Sequence, residues 1–272
     1  MGELVFIGLG LGDEKGITLR GLEEAKNADM VLAEFYTNYV PKPYIERLES
    51  LIGKRIQILR RMDLEDMVEE RLLRPALSKR VALLVPGDPM IATTHVAIRL
   101  RAFRQGIPTR VVPGVSIVTA AIAACGLQNY KFGQSVSMPL DDGMKEKPPR
   151  SLYNVCAENL RRGLHTLVFL DFDAERGLFL SIKDAIDRMI LMEKLWNEGV
   201  FIPKRLLVGL ARVGSHDALV RAHYLQEMAI IDFGGPPHIL IVTGKLHFME
   251  VEALLCLAQA PREIRLEELE ES

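Results

Sequence analysis

The sequence has few cysteines, no long hydrophobic run and no recognisable targeting segment. Its 272 residues include three cysteines, Cys125, Cys156 and Cys256, which stand far apart and lack the spacing of a metal site or a disulfide framework. We therefore predict three buried free thiols. The longest apolar runs are well short of a membrane span. Because no signal peptide precedes the first strand, we expect a cytoplasmic protein.

Excess charge of one sign is also missing. The 34 lysines and arginines nearly balance the 36 aspartates and glutamates, and the formal net charge is -2. Since both signs are interspersed, the sequence lacks the basic surface that nucleic-acid binding requires. No Ser/His/Asp or Cys/His arrangement indicates covalent catalysis. The chain is nevertheless 49% hydrophobic, enough for a full core, and its length suits one large domain or two modest ones.

The most informative stretch is V-A-L-L-V-P-G-D-P and the residues after it. Val81 to Val85 is an apolar run typical of a parallel strand buried on both faces. Gly87 and its neighbouring prolines predict a rigid, bent loop, and Thr93 or Thr94 could cap the helix that follows. Open α/β sheets bind their ligands at such a strand, loop and helix start. Asp88 there could bond a hydroxyl or ammonium group, or could only form the turn.

A glycine-rich loop follows the first predicted strand, Glu3 to Gly8. Its glycines fall at positions 8, 10 and 12, and the next helix begins only at Thr18. A dinucleotide fingerprint needs G-x-G-x-x-G opening directly into a helix, so the pattern argues weakly for such a site. Close approach of the backbone to another ligand stays open.

A second predicted strand, Asp29 to Glu34, leads into the sequence E-F-Y-T. Phe35 and Tyr36 could line a pocket at the carboxyl end of this strand or belong to the core, and the sequence favours neither. The face of an aromatic ring would suit a quaternary ammonium group.

The second half of the chain alternates strands and helices again. We predict two α/β domains, residues 1–128 and 129–272, with a crevice between them. The polar segment from Pro139 to Arg150 is a lid or a plain surface loop, and the acidic tail from Pro261 is expected to be solvated. The predicted strands are Ser135–Met138, Thr166–Asp171, Arg205–Leu210 and Ile239–Val242, and the predicted helix is Ser181–Trp196.

Three stretches together resemble the tetrapyrrole methylase superfamily. They are G-L-G-L-G-D and the helix and strand after it at Gly8 to Glu34, V-P-G-D-P at Val85 to Pro89, and V-V-P-G-V-S-I at Val111 to Ile117. The resemblance implies an S-adenosyl-L-methionine-dependent methyltransferase of two α/β domains. It also implies that the N-terminal domain carries the G-D-P loop, that the cofactor lies in the inter-domain cleft, and that the C-terminal domain completes this cleft.

Further motifs resemble the diphthine synthase family within that superfamily. This resemblance implies methylation, to the trimethyl form, of the amino group of a 3-amino-3-carboxypropyl-histidine on translation elongation factor 2. It also implies S-adenosyl-L-homocysteine as product and a homodimer, with no metal, nucleic acid or membrane involved. The motifs are A-E-F-Y-T (33–37), G-D-P-M-I-A-T-T-H (87–95), G-L-Q-N-Y-K-F-G (126–133), G-L-H-T-L-V-F-L-D (163–171), L-A-R-V-G-S (210–215) and P-P-H-I-L-I-V-T-G-K-L-H (236–247).

Site residues follow from the same resemblance, position by position. The implied cofactor contacts are Leu11, Asp88, Ile91, Ser116, Ile117, Leu170, Leu210, Ala211, Pro237 and His238. Leu170 and Leu210 could instead be core residues at strand ends. The candidate substrate pocket consists of Glu34, Phe35, Tyr36, Thr37, Thr94 and His95.

We assign no catalytic residue. Methyl transfer to a neutral amine needs no enzyme intermediate, and partial burial of the substrate ammonium would lower its pKa without a dedicated base. His165 receives no role. Two alternatives stay open: a porphyrin or corrin methyltransferase of the same fold, and a non-catalytic adenosyl-binding regulator.

Overall fold

The computed structural model describes residues 2–36, 40, 42–140, 148–174 and 176–264. The chain divides into two compact units, Met1–Ile117 and Val118–Ser272, whereas the sequence suggested a boundary after residue 128. Most of the predicted polar loop (141–147) and most of the acidic tail (265–272) lie outside the described residues. None of the described helices is both long and apolar enough to cross a membrane.

The first unit contains a five-stranded sheet that is parallel throughout, with spatial order β3-β2-β4-β1-β5. Its strands are β1 (Glu3–Gly8), β2 (Met30–Glu34), β3 (Gln57–Leu59), β4 (Arg80–Val85) and β5 (Thr109–Val112). Its helices are α1 (Leu19–Asn27), α2 (Lys42–Ile52), α3 (Arg61–Glu65), a π-helical turn (Glu69–Leu73), α4 (Arg74–Ala76) and α5 (His95–Arg104), and a 3-10 turn spans Glu14–Gly16. Helix α6 (Ile117–Cys125) begins at the last residue of this unit.

Strand β4 is buried on both faces, as predicted. Val81, Leu83 and Val85 belong to one core cluster, and Ala82 and Leu84 belong to another. Successive side chains of a strand point to opposite faces of the sheet, so the two clusters cover its two faces. Full burial of a Val or Leu side chain is worth about 1.5–3 kcal/mol, which makes this strand a rigid support for the loop that follows it.

The second unit contains a mixed five-stranded sheet with spatial order β11-β10-β12-β7-β6. The pair β6 and β7 is parallel, and the other three pairs are antiparallel. Its strands are β6 (Val136–Met138), β7 (Thr166–Leu170), β10 (Leu206–Ala211), β11 (Leu219–Tyr224) and β12 (His238–Val242), with a hairpin of β8 (Phe172–Asp173) and β9 (Leu178–Phe179). Its helices are α7 (Arg150–Arg161), α8 (Ile182–Trp196), α9 (Leu225–Met228) and α10 (Phe248–Leu257), and a 3-10 turn spans Asn129–Lys131.

Four predicted strands and the predicted long helix of this unit are confirmed. Ser181 caps α8, where its hydroxyl accepts a hydrogen bond from the Asp184 backbone N–H. Strand β11 was not predicted, because an edge strand of half-buried residues shows neither an apolar run nor clean alternation.

The cysteine prediction is right for two residues and wrong for one. Cys125 and Cys156 are buried, whereas Cys256 is exposed, and all three are free thiols. Burial raises the pKa of Cys125 to about 11 and that of Cys156 to about 12, so both remain protonated and unreactive. Cys256 lies on α10, between the buried Leu254 and the exposed Leu257, and the apolar sequence concealed that this turn of the helix faces solvent.

Candidate functional site

Three loops meet at the carboxyl edge of the parallel sheet. They follow β1, β4 and β5. Gly10 and Gly87 exchange two hydrogen bonds, with N···O distances of 3.1 and 2.8 Å. Both glycines have positive φ, 68° and 70°. Glycine adopts this conformation without strain, whereas other residues pay about 1–2 kcal/mol of conformational energy for it.

The glycines of these loops are required by contact with one another. A Cβ on Gly8 would lie 2.4 Å from the backbone nitrogen of Gly114, and a Cβ on Gly114 would lie 2.2 Å from the carbonyl oxygen of Gly87. No side chain fits at such distances. In the loop after β1, Gly8 and Gly10 therefore make room for other backbone segments of the protein and not for a ligand. This role explains why their spacing departs from a dinucleotide fingerprint.

Asp88 ties two of the loops together. One carboxylate oxygen accepts the backbone N–H of Met90 at 2.9 Å, and the other accepts that of Gly114 at 3.3 Å. The first bond is the turn-forming role that the sequence suggested, and the second reaches the loop after β5. Asp88 is half-buried, and each carboxylate oxygen has a second acceptor position.

The other implied cofactor residues of this unit lie on the same set of loops. Leu11 follows β1 and is half-buried, while Ile91 follows the G-D-P loop and is 48% exposed. Ser116 and Ile117 are half-buried at the start of α6. The topology thus places these residues and Asp88 after three adjacent parallel strands, β4, β1 and β5.

The five implied cofactor residues of the second unit lie together at one edge of its sheet. Leu170 ends β7, Leu210 and Ala211 end β10, and His238 opens β12. Ala211 stands directly opposite His238 in the ladder. The carbonyl oxygen of Pro237 accepts the backbone N–H of Arg212 at 2.8 Å, which fixes the chain before β12.

These five residues differ in what they can offer a ligand. Leu210 and Ala211 are 0% exposed as whole residues, as the core interpretation expected for Leu210, and both pair with strands on either side. Leu170 and His238 are half-buried and Pro237 is exposed. The His238 ring receives the Ile182 backbone N–H at Nδ1 (3.3 Å), and burial lowers its pKa.

A buried glutamate and a buried histidine lie at the carboxyl edge of the first sheet. Glu34 ends β2 and His95 begins α5, and their exposed fractions are 0% and 1%. His95 Nε2 lies 3.9 Å from Glu34 Oε1, beyond hydrogen-bond distance, and has no hydrogen-bond partner in the described part of the chain. Burial lowers the pKa of His95, so its ring is neutral at pH 7.

Thr93, rather than Thr94, supports the start of α5. The Thr93 hydroxyl lies 2.6 Å from His95 Nδ1 and also accepts the His95 backbone N–H at 3.3 Å. Thr94 occupies the cap position but makes no capping bond with its side chain, because its φ and ψ are helical instead of extended. Its side chain is exposed.

Phe35 and Tyr36 both belong to the core. Phe35 packs edge-on against Tyr44, with ring centroids 6.1 Å apart, and Tyr36 joins the cluster on the other face of the sheet. The guanidinium carbon of Arg61 lies 5.4 Å from the centre of the Tyr36 ring. A cation therefore already covers this ring. Thr37, the remaining residue of the candidate pocket, lies outside the described residues.

The second unit contains its own buried histidine and glutamate, and these are fully bonded. His165 Nδ1 accepts the Gly244 backbone N–H at 2.9 Å, and its Nε2–H donates to Glu250 Oε1 at 3.0 Å. Glu250 also accepts the Lys131 ammonium at 2.6 Å and the backbone N–H groups of Gln128 and His247 at 2.8 and 2.9 Å. Against the cost of burial, these bonds lower the pKa of Glu250 to about 2.

Sequence reasoning missed Glu250. The spacing of His247 and Glu250 is that of a capping box, which the structure contains, but the bond to His165 spans 85 positions.

Within the described ranges, no group of three His, Cys, Asp or Glu side chains could hold a metal ion.

Comparison with known proteins relates this geometry to characterised families. A family model described as Tetrapyrrole (Corrin/Porphyrin) Methylases matches residues 3–195. A diphthine synthase of Methanosarcina mazei is 45% identical over 264 residues, covering 96% of this chain and 98% of that protein. Another, of Methanocella arvoryzae, is 43% identical over 257 residues, covering 94% and 98%. A crystal structure of diphthine synthase superimposes with a TM-score of 0.86 at 40% identity, covering 97% and 98%.

Proposed function

Because the chain belongs to the diphthine synthase family of the tetrapyrrole methylases, we propose that it methylates translation elongation factor 2. The coarser assignment, a methyltransferase of diphthamide biosynthesis, follows from family membership. The finer proposal is transfer of three methyl groups from S-adenosyl-L-methionine to the amino group of 3-amino-3-carboxypropyl-histidine. The observation that carries it is the trio of loops joined by Gly10, Gly87 and Asp88 in a chain that matches these relatives over nearly its whole length.

The residues implied to hold the cofactor suit a ligand bound by shape complementarity and by one carboxylate. Asp88 is a half-buried carboxylate with unused acceptor positions, able to receive a hydroxyl or ammonium group. Leu11, Ile91 and Leu170 offer apolar side chains that are half-buried or exposed, whereas Leu210 and Ala211 are buried and form the strand end beneath them. We propose that both groups of residues, one on each unit, contribute to cofactor binding.

When bound, the cofactor supplies an electrophilic methyl group on its sulfonium. The protein then has to orient the substrate amine and exclude water, and orientation alone can be worth about 7–11 kcal/mol. The strands β1, β4 and β5 suit this task because backbone bonds join the loops after β1 and β4 and the Asp88 carboxylate joins the loop after β5 to them.

The candidate substrate pocket divides into a reachable part and a support. Thr94 is exposed and can contact a substrate, whereas Glu34, Phe35, Tyr36 and His95 are buried. We propose that the buried residues hold the segment from Asp88 to Thr94 in place. A general base must come within hydrogen-bond reach of the proton it removes, and the side chains of His95 and Glu34 are only 2% and 1% exposed. This burial supports a mechanism without a dedicated base.

Mass spectrometry of elongation factor 2 tests the proposal directly. The factor, carrying aminocarboxypropyl-histidine, is incubated with the chain and S-adenosyl-L-methionine. We expect successive gains of one, two and three methyl groups and release of S-adenosyl-L-homocysteine. Methylation of a porphyrin or corrin in place of the factor would support the first alternative. Cofactor binding without any release of S-adenosyl-L-homocysteine would support the regulator.

Asp88→Asn tests the cofactor site in particular. A hydrogen bond to a charged group contributes about 1.5–3 kcal/mol, so we expect cofactor affinity, measured by calorimetry, to fall about tenfold or more. Asp66→Asn is the matched control, since Asp66 is exposed on the same unit and should leave affinity unchanged. Equal affinity in the two variants would remove Asp88 from the site.

The proposed homodimer is tested by sedimentation, and the proposed cytoplasmic location by cell fractionation.

A further inference from the structure

The second unit has a cavity at the sheet edge opposite its implied cofactor residues. Its volume is about 690 Å³, and small-molecule sites commonly span about 300–1,000 Å³. Leu206 begins β10 and Thr243 directly follows β12, and both line the cavity. The residues implied for the cofactor lie where β10 ends and β12 begins. The cavity is therefore a second location on the same sheet.

Positive charge dominates the wall of this cavity. Its charged side chains are Arg161, Lys204, Arg205, Lys245 and Glu198. Glu198 is paired with Arg150 at 2.5 Å, and Arg161 with Glu158 at 2.7 Å. Among the described residues, the single acidic side chain of the wall is thus engaged by an arginine from outside it, and the described wall has more cations than anions.

Arg205 is the most buried of these cations. Its Nε donates to the carbonyl oxygen of Val200 at 2.8 Å and its Nη2 to that of Gly199 at 3.0 Å. In the described part of the chain, Nη1 makes no hydrogen bond, and no carboxylate lies within 4.0 Å of Arg205 or Lys204. Burial lowers the pKa of Arg205, and the nearby Glu193 carboxylate acts in the opposite direction.

Glu193 does not provide the missing counter-ion. Its carboxylate accepts the Tyr153 hydroxyl at 2.9 Å and the backbone N–H groups of Gly199 and Phe201, both at 2.7 Å. The half-buried Arg205 guanidinium donates to two carbonyl oxygens and has no carboxylate partner among the described residues, so an added anion could pair with it. The planar guanidinium fork matches phosphate oxygens two at a time.

We propose that this cavity binds a small phosphorylated molecule of nucleotide size. Its di- or triphosphate group would lie against Lys204, Arg205 and Lys245. The side-chain cations would bind it, since the backbone N–H groups of Gly199 and Gly244 already donate hydrogen bonds within the protein. The uncharged part of the ligand would pack on the apolar wall, which comprises Leu160, Val200, Leu206, Leu246, Val251 and Ile264.

Calorimetric titration of the whole chain with inorganic tripolyphosphate, and separately with guanosine diphosphate, tests the proposal without methyl transfer. We expect saturable binding of one ligand per chain, weakened by salt. Lys204→Gln with Lys245→Gln should weaken it about tenfold or more, the order expected for lost charged hydrogen bonds. Both lysines are exposed, so the fold should be retained. Lys183→Gln, an exposed lysine of α8 outside the cavity, is the control and should bind as the parent does.

Three results would overturn the proposal. They are the absence of saturable binding for both probes, equal affinity in the double variant and the parent, and tighter binding of a polyglutamate peptide than of either phosphate probe. The last would indicate an acidic protein partner. Arg205→Lys, which keeps the charge but loses the fork, should also weaken binding, with its thermal midpoint measured alongside to check folding.

Discussion

Each unit buries one histidine beside one glutamate, and the two pairs differ in how they are bonded. In the second unit, His165 and Glu250 lie 3.0 Å apart, and every ring nitrogen and carboxylate oxygen has a partner. In the first unit, His95 and Glu34 lie 3.9 Å apart, and His95 Nε2 has no hydrogen-bond partner among the described residues. Burial alone therefore does not identify the role of a titratable pair.

The difference separates a pair whose hydrogen bonds are all made within the protein from a pair in which one ring nitrogen is left without a partner among the described residues. A fully bonded buried network stabilises a fold and fixes the segments it joins. An unpartnered buried polar atom costs about 1–3 kcal/mol, so it calls for an explanation such as strain, a functional role or a bound water or ion. The His95 pair lies next to the loops implied in cofactor binding, whereas the His165 pair joins the segments at residues 128–131 and 244–250.

Removal of Glu250 is expected to have the largest effect on the free energy of unfolding. Glu250→Ala leaves the Lys131 ammonium, the His165 ring and two backbone N–H groups without their acceptor, and breaking a buried pair in this way costs about 3–5 kcal/mol. Urea unfolding measures the loss. Glu252→Ala, an exposed glutamate of the same helix, should stay within about 0.5 kcal/mol of the parent. Equal losses in the two variants would contradict the assigned role of Glu250.

The same substitution at each histidine provides a matched comparison. His165→Leu removes two hydrogen bonds and leaves Gly244 N–H unpaired, so we expect the free energy of unfolding to fall by about 2–3 kcal/mol. His95→Leu removes the contact with Thr93 but also the unpartnered nitrogen, and we expect a loss below about 1 kcal/mol. Urea unfolding of both variants provides the test. A larger loss at His95 would reverse the comparison.

The two pairs should also respond to acid in different pH windows. Glu250 has a folded pKa of about 2, below its ordinary 4.5, so its stabilisation is present above pH 4.5 and is lost as the pH falls toward 2. His95 has a folded pKa below its ordinary 6.5. The unfolded chain therefore takes up the proton first, and stability declines as the pH falls below about 6.5.

Chemical unfolding at successive pH values resolves these windows. Glu250→Gln should flatten the acid limb, and His95→Leu should reduce the slope between pH 7 and about pH 5. Burial also lowers the pKa of His238, so His238 contributes to the same pH window. Part of the slope should therefore remain in the His95→Leu variant. An unchanged slope in His95→Leu would mean that His95 is protonated alike in the folded and unfolded chains.

The smallest expected effect concerns turnover. If Glu34 and His95 support the loop without exchanging a proton, His95→Gln should reduce kcat less than tenfold, whereas loss of a general base typically costs about 10²–10⁴. Single-turnover methylation of the elongation factor, with cofactor and substrate affinities measured separately, provides the value. Loss of turnover with both ligands still bound would identify a catalytic base in this pair and overturn our assignment.

Local patterns predicted much of the fold and only part of the site. The apolar run at Val81–Val85 and the Ser181 cap depend on neighbouring residues, and the structure contains both. Phe35 and Tyr36 were ambiguous because their role depends on which face of the sheet each side chain meets. Adjacent side chains on opposite faces both reached core clusters, which depend on residues elsewhere in the chain.

The sequence by itself determined the two α/β units, the positions of most strands and the bent loop at Asp88, because strand period, glycine and proline act within a few residues. Only the tertiary structure decided that Gly8 and Gly114 face each other's backbone, that Cys256 is exposed, and that His165 has a full set of partners while His95 does not. The physical reason is the same in each case. Burial and bonding at these positions depend on contacts between residues distant in the chain, and local spacing does not specify such contacts.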